Sequence, residues 1–170
     1  MPHTMKYKFL LFAFVAAAFV ACETKSVISP GIRFSSALYR TYTVQGSLGQ
    51  DSIVKDTISL QDSLQLGDTV RMPMVCEGYY DYLRALTIST DTSKVKVSLA
   101  WNEEDSACLS DEADPEHGRL AFLPDKVYAC FTTLTYVPVV TGTHRIDITL
   151  TSAAREGYSE GAWHFNLAVK

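Results

Sequence analysis

Val95-Lys-Val-Ser-Leu-Ala-Trp101 alternates apolar and polar residues at every step. Val95, Val97, Leu99 and Trp101 share one face, and Lys94, Lys96, Ser98 and Ala100 share the other. That period of two belongs to a half-buried strand, since successive side chains of a strand point to opposite faces. The same period recurs outward from this stretch. Val70, Met72, Met74 and Cys76 alternate with Arg71, Pro73 and Val75; Ile146, Ile148 and Leu150 alternate with Arg145, Asp147 and Thr149. Trp163, Phe165, Leu167 and Val169 alternate with His164, Asn166, Ala168 and Lys170. Turn residues punctuate the runs at Gly46-Ser47, Gly49-Gln50-Asp51, Gly67-Asp68, Glu77-Gly78, Asp91-Thr92-Ser93, Pro124-Asp125, Thr141-Gly142 and Glu156-Gly157. Beyond the leader, no stretch of helical length carries a convincing helical stripe. The spacing predicts an all-β fold, an antiparallel sandwich of about seven to nine strands. Pro73 and Pro138 have no N–H to give a ladder, so they are expected on edge strands or at strand ends.

The first residues read differently. Lys6 and Lys8 precede an apolar run from Phe9 to Ala21. The run is shorter than the about 20 residues that cross a hydrocarbon core, and it fits the apolar region of a secretory signal. Phe19-Val20-Ala21-Cys22 resembles the bacterial lipoprotein box, with Phe19 in a slot usually held by Leu. The resemblance implies that residues 1–21 are a signal peptide and that Cys22 is the lipid-attachment site. Residues 22–32, with Pro30-Gly31, then form a lipidated tether, and residues 33–170 form the β-sandwich domain. It also implies an outer-membrane, lipid-anchored location on the periplasmic face or the cell surface. Acyl chains contribute about 0.8 kcal/mol per buried CH₂, so two or three hold a small domain on a membrane.

Charge narrows the partners. Lys6 and Lys8 leave with the leader, which takes 2 of the 15 basic residues and none of the 19 acidic ones, so the mature chain carries 13 − 19 = −6. An acidic chain without a basic patch is not expected to bind nucleic acid or to be drawn electrostatically to anionic lipid. Cys76, Cys108 and Cys130 remain, enough for one disulfide in an oxidising compartment, in any of three pairings. There is no Cys-x-x-Cys, and His3, His117, His144 and His164 show no ligand spacing, so no metal and no cofactor is expected.

Gly67-Asp68-Thr69-Val70 opens a strand, and Tyr136-Val-Pro-Val-Val-Thr-Gly142-Thr-His144-Arg-Ile146-Asp-Ile148 precedes the last one. These segments resemble immunoglobulin-like domains of exported bacterial proteins, in which a Gly-x-His/Tyr corner starts the penultimate strand. With the leader, the whole chain resembles the short lipoproteins common in gut Bacteroidetes. That implies an immunoglobulin-like fold and a cell-envelope location but no activity. A rival registration rests on Asp125-Lys-Val-Tyr128-Ala-Cys130, which resembles the tyrosine corner of true immunoglobulin domains and implies a Cys76–Cys130 disulfide. Trp101 departs from that pattern, following Cys76 at about twice the usual spacing of about a dozen residues.

Four motifs bear on chemistry. Gly157-Tyr-Ser159-Glu-Gly161 matches the nucleophile elbow G-x-S-x-G, but His164 follows too closely on an apparent strand, so it reads as a Gly/Ser-rich turn. Glu103-Glu104-Asp105 and Asp111-Glu-Ala-Asp-Pro-Glu-His117 gather acids without the calcium-loop spacing and read as solvated loops. Glu77-Gly-Tyr79-Tyr80-Asp-Tyr82-Leu-Arg84 clusters rings that suit sugar faces and interfaces, or that simply pack in the sandwich. Tyr79, Tyr80, Tyr82 and Trp101 are the candidate ligand contacts. Asp-Ser/Thr-apolar triplets resemble the O-glycosylation acceptor of Bacteroides, with hydroxyls at Ser52, Thr57, Ser63, Thr69 and Ser106. The same triplets also arise where a turn residue leads into a strand. No residue set is expected to be catalytic. The expectation is a non-enzymatic binding or structural accessory with an envelope protein or a glycan as partner. The alternatives are a glycan-binding accessory and an envelope enzyme with an unrecognised site.

Overall fold

The computed structural model describes residues 28–35, 38–46, 50–153 and 159–170. The leader, Cys22 and most of the tether lie outside the described residues, as do Gly157 and Tyr158 of the G-x-S-x-G match. Among the described residues, ten strands form two antiparallel sheets. The first sheet runs β3 (Asp51–Ile58), β2 (Leu38–Gln45), β4 (Thr69–Glu77), β8 (Ala129–Pro138), β6 (Val95–Ala100), with β1 (Gly31–Phe34) also on β4. The second runs β10 (Glu160–Val169), β9 (Gly142–Ser152), β5 (Leu83–Thr90), β7 (Arg119–Ala121). Helical structure among the described residues is two 3₁₀ turns, Glu103–Cys108 and Pro115–His117. The order β1/β2, β4, β8, β6 against β10, β9, β5 is the A-B-E-D against G-F-C order of immunoglobulin-like sandwiches. The strand number exceeds the expected range because β1 and β7 are short pieces that sequence periodicity does not register.

Alternation builds the core as the sequence predicts. Val70, Met72, Met74 and Cys76 of β4 face Ile146, Ile148 and Leu150 of β9, all buried, together with Leu134 and Tyr136 of β8. Each such side chain contributes about 1.5–3 kcal/mol when fully buried. The β10 ring pair Trp163 and Phe165 is only half-buried because β10 is an edge strand. Phe34 of β1 closes that edge, meeting Trp163 and Phe165 edge-on at 6.3 and 5.0 Å.

Two prolines were expected at margins, and one is not there. Pro138 ends β8 as expected. Pro73 lies in β4, inside the sheet and paired with Thr133. It is tolerated because the other side of β4 changes neighbour at that point: β2 pairs residues 69–71 and β1 pairs residues 74–77. The Pro73 carbonyl still accepts from Ser35 N at 3.0 Å, and the missing N–H falls in the joint between the two neighbours.

β9 is the penultimate strand and opens on Gly142-Thr143-His144. Gly142 adopts φ +121, a conformation that favours glycine, and so turns the chain from β8 into β9. His144 is thereby folded under the turn, where its Nδ1 lies 2.9 Å from the Tyr136 hydroxyl. Burial pushes the Tyr136 hydroxyl up to about 12. The rival registration fails on this geometry. Cys76 and Cys130 are cross-strand partners within one sheet, whereas the immunoglobulin bridge joins two sheets, and the Tyr128 ring is exposed.

Candidate functional site

At one end of the sandwich β4 gives way to β5 through residues 78–82. Gly78 N donates to Tyr128 O at 2.7 Å, Asp81 N to Gly78 O at 3.0 Å, and Leu83 N to Val127 O at 2.7 Å. The turn is thus pinned to the start of β8, and it turns Tyr79, at φ +57, and Tyr80 outward. Tyr82 folds back and stacks on Tyr128, with centroids 3.8 Å apart and planes at 27°. Hydrogen bonding to Tyr82 raises the Tyr128 hydroxyl above its usual range. Phe131 lies on the outer face of β8, opposite Val75. Tyr79, Tyr80, Tyr128 and Phe131 are 47, 77, 47 and 67% exposed.

Beside these rings β6 stops at Ala100, paired with Thr133, so Ala129–Thr132 of β8 have a strand on one side only. A hollow of about 600 Å³ occupies the vacated side, lined by Trp101, Asp105, Cys108, Lys126, Tyr128 and Phe131. Trp101 forms its wall, tilted on Phe122 at 5.6 Å, with its indole N–H buried and unpartnered among the described residues.

The four rings read from the sequence therefore share one end of the molecule but not one surface. Tyr79 and Tyr80 face outward, Tyr82 is spent on Tyr128, and Trp101 lines the hollow. Tyr128 and Phe131 were missed. Phase was the available signal: in Phe131-Thr-Thr-Leu134-Thr-Tyr136, buried Leu134 and Tyr136 put Phe131 on the opposite face.

Cys76 and Cys130 do meet, but the structure holds both as free thiols. Because Gly78 N donates to Tyr128 O in the same register, Cys76 and Cys130 fall on a hydrogen-bonded position of the ladder. Such pairs stand about 5.5 Å apart at Cα, within the about 4.4–6.8 Å range of disulfides. A hydrogen bond to Cys130, and then burial, push the Cys76 thiol up.

Two acids of the second run are engaged in local structure. Asp114 caps the second 3₁₀ turn by accepting from His117 N at 3.2 Å, and its carboxylate pairs with His117 Nδ1 at 2.9 Å, which raises the imidazole above its usual range. Glu112 pairs with Arg119 at 2.9 Å. No cluster of three metal-ligating side chains occurs among the described residues. Of the triplet hydroxyls, Ser52, Thr57 and Ser106 are exposed, while Ser63 and Thr69 are half-buried. The aspartates before the last two hold turns: Asp62 accepts from Ser59 N at 2.7 Å and buried Asp68 from Gln65 N at 2.9 Å.

No family model and no curated protein matches the chain. Among solved structures, the sandwich is similar to part of a family 123 glycoside hydrolase from Clostridium perfringens, with a TM-score of 0.39 and 11% identity. The match covers 84% of this chain and 27% of that one. A likeness at that level carries no functional argument.

Proposed function

We propose that this chain is a lipid-anchored cell-envelope protein of the Bacteroidetes type. It would be held on the outer membrane through Cys22 and act as a non-enzymatic binding or structural accessory. One observation carries the reading: a leader that ends on Cys22 is joined, through a short tether, to a sandwich whose exposed rings are concentrated at one end. Peptide and intact mass spectrometry of the protein from its native membrane tests it. The expected result is a mature chain that begins at an acylated Cys22. A free amino terminus with an unmodified or absent Cys22 overturns the anchor. The same spectra report sugars on Ser52, Thr57, Ser63, Thr69 and Ser106.

A second reading, glycan binding, draws on the outward turn of Tyr79 and Tyr80, whose flat faces suit a sugar ring. On a glycan array, Tyr79→Ala with Tyr80→Ala would lower binding about tenfold or more, a loss of about 1.4 kcal/mol. Unchanged binding would rule out those rings as contacts.

A further inference from the structure

We propose that the aromatic end of the sandwich is a membrane-contact surface, seated in the interface of the bilayer that holds the acyl chains of Cys22. The inference rests on the lipid-anchor reading and adds an orientation to it.

Chain direction supplies the first argument. Gly31 is the cross-strand partner of Glu77, and β1 is antiparallel to β4. Residues 30, 29 and 28 therefore leave the sheet in the direction that β4 takes into Tyr79 and Tyr80. The two segments also touch: a Cβ on Gly31 would stand 2.6 Å from the Tyr79 hydroxyl, so the ring lies against the root of the tether.

Reach supplies the second. Nine residue steps separate Cys22 from Gly31, and a fully extended chain of that length spans about 30 Å at most. The tether is rooted at this end, so presenting it to the headgroups leaves the chain slack, whereas presenting the opposite end would take up most of that reach. Running back along β4 from Glu77 to Thr69 would use about 26 Å of the about 30 Å available.

Side-chain chemistry supplies the third. Of the five exposed aromatic side chains among the described residues, Tyr79, Tyr80, Tyr128 and Phe131 are at this end, and only Tyr39 is elsewhere. Tyrosine pairs an apolar ring with a polar tip and is enriched where a membrane meets water. Charge is not the attraction. The end carries Glu77, Asp81, Asp105, Asp125 and Glu160 against Arg33, Arg84 and Lys126, so the contact should survive high salt and should not need anionic lipid.

Hydroxyl-radical footprinting tests the proposal. The purified full-length mature protein is reconstituted into vesicles of phosphatidylethanolamine and phosphatidylcholine with no other protein present. Tyr39, at the far end and 50% exposed, is the internal reference for Tyr80 at 77%. Exposure alone makes Tyr80 label faster than Tyr39. Seating in the interface reverses the order, with Tyr80 and Phe131 labelled at least threefold more slowly than Tyr39. The reversal should persist when about twenty Gly/Ser residues are inserted into the tether; its disappearance would mean that the rings are held near the lipid without binding it, and would overturn the contact. Tyr80 labelled as fast as Tyr39 on vesicles, with acylated Cys22 in the same digest, overturns the proposal alone and returns the rings to glycan binding. An unacylated Cys22 overturns the anchor reading and the proposal together.

Discussion

The two ends of the sandwich solve different problems. At the end where β8 turns into β9, polar side chains, buried and exposed, are drawn into specific pairs. Asp68 holds the turn before β4 and lies 3.7 Å from Arg40, which pairs with Asp56 at 2.6 Å and lies over the Tyr42 ring at 5.1 Å. His144 meets the Tyr136 hydroxyl, and Lys94 pairs with Asp91 at 2.9 Å. At the opposite end, Tyr79, Tyr80, Tyr128 and Phe131 are turned outward beside an open hollow. Breaking a buried pair such as Tyr136–His144 costs about 1–3 kcal/mol, so the first end is constrained by folding. Exposed rings contribute little to folding, and that end is therefore free to serve contact with something else.

Substitutions can break this contrast, and they are taken here from the largest expected effect to the smallest. Leu64, 1% exposed, carries the loop of the polar end onto β10, where its N–H donates to Ala168 O at 2.8 Å. Leu64→Ala should cost about 2–5 kcal/mol, read as a lowered urea midpoint with an unchanged slope. Tyr136→Phe leaves His144 Nδ1 buried without its partner, and the expected loss is about 1–3 kcal/mol. If that variant proves as stable as the parent, the hydroxyl–imidazole contact is not what secures the corner.

Tyr80→Ala and Phe131→Ala should each stay within about 0.5 kcal/mol of the parent in the same titration. A loss as large as that of Tyr136→Phe would show that the aromatic end is structural and erase the difference between the ends. The smallest effect is electrostatic. The Ser93 hydroxyl, then the Lys94 ammonium, hold the exposed Asp91 carboxyl down at about 2. Its folded-state value is depressed, so its contribution is present above the ordinary carboxylate range and is lost as the pH falls towards about 2. Carboxyl NMR should place its midpoint there, and Ser93→Ala should move the midpoint upward.

Much of the fold was legible along the chain. β4, β6, β9 and β10 lie where period-two alternation placed them, and Gly142-Thr143-His144 opens the penultimate strand. What escaped was set by neighbours in space. Pro73 reads as an edge residue, yet a joint between β1 and β2 accommodates it in mid-sheet. Residues 31–34 are too short for a period to declare them a strand and gain that character only from β4. The site was half legible for a related reason. Tyr79 and Tyr80 belong to a visible turn, but Tyr82 became a structural ring only because Tyr128 lies beside it, and Phe131 joined the cluster only because β8 begins at the same end.

The sequence by itself determined the two-layer β architecture, since burial of alternate side chains is a local property of each strand. It also carries the apolar run ending at Cys22 on which the proposed anchor rests. Tertiary structure alone decided which strands became neighbours, and with that which end of the sandwich received residues 28–30, the hollow and the exposed rings. Those placements arise from backbone pairing between segments far apart in the chain, such as Gly31 with Glu77 and Cys76 with Cys130, and no local pattern encodes a partner that distant.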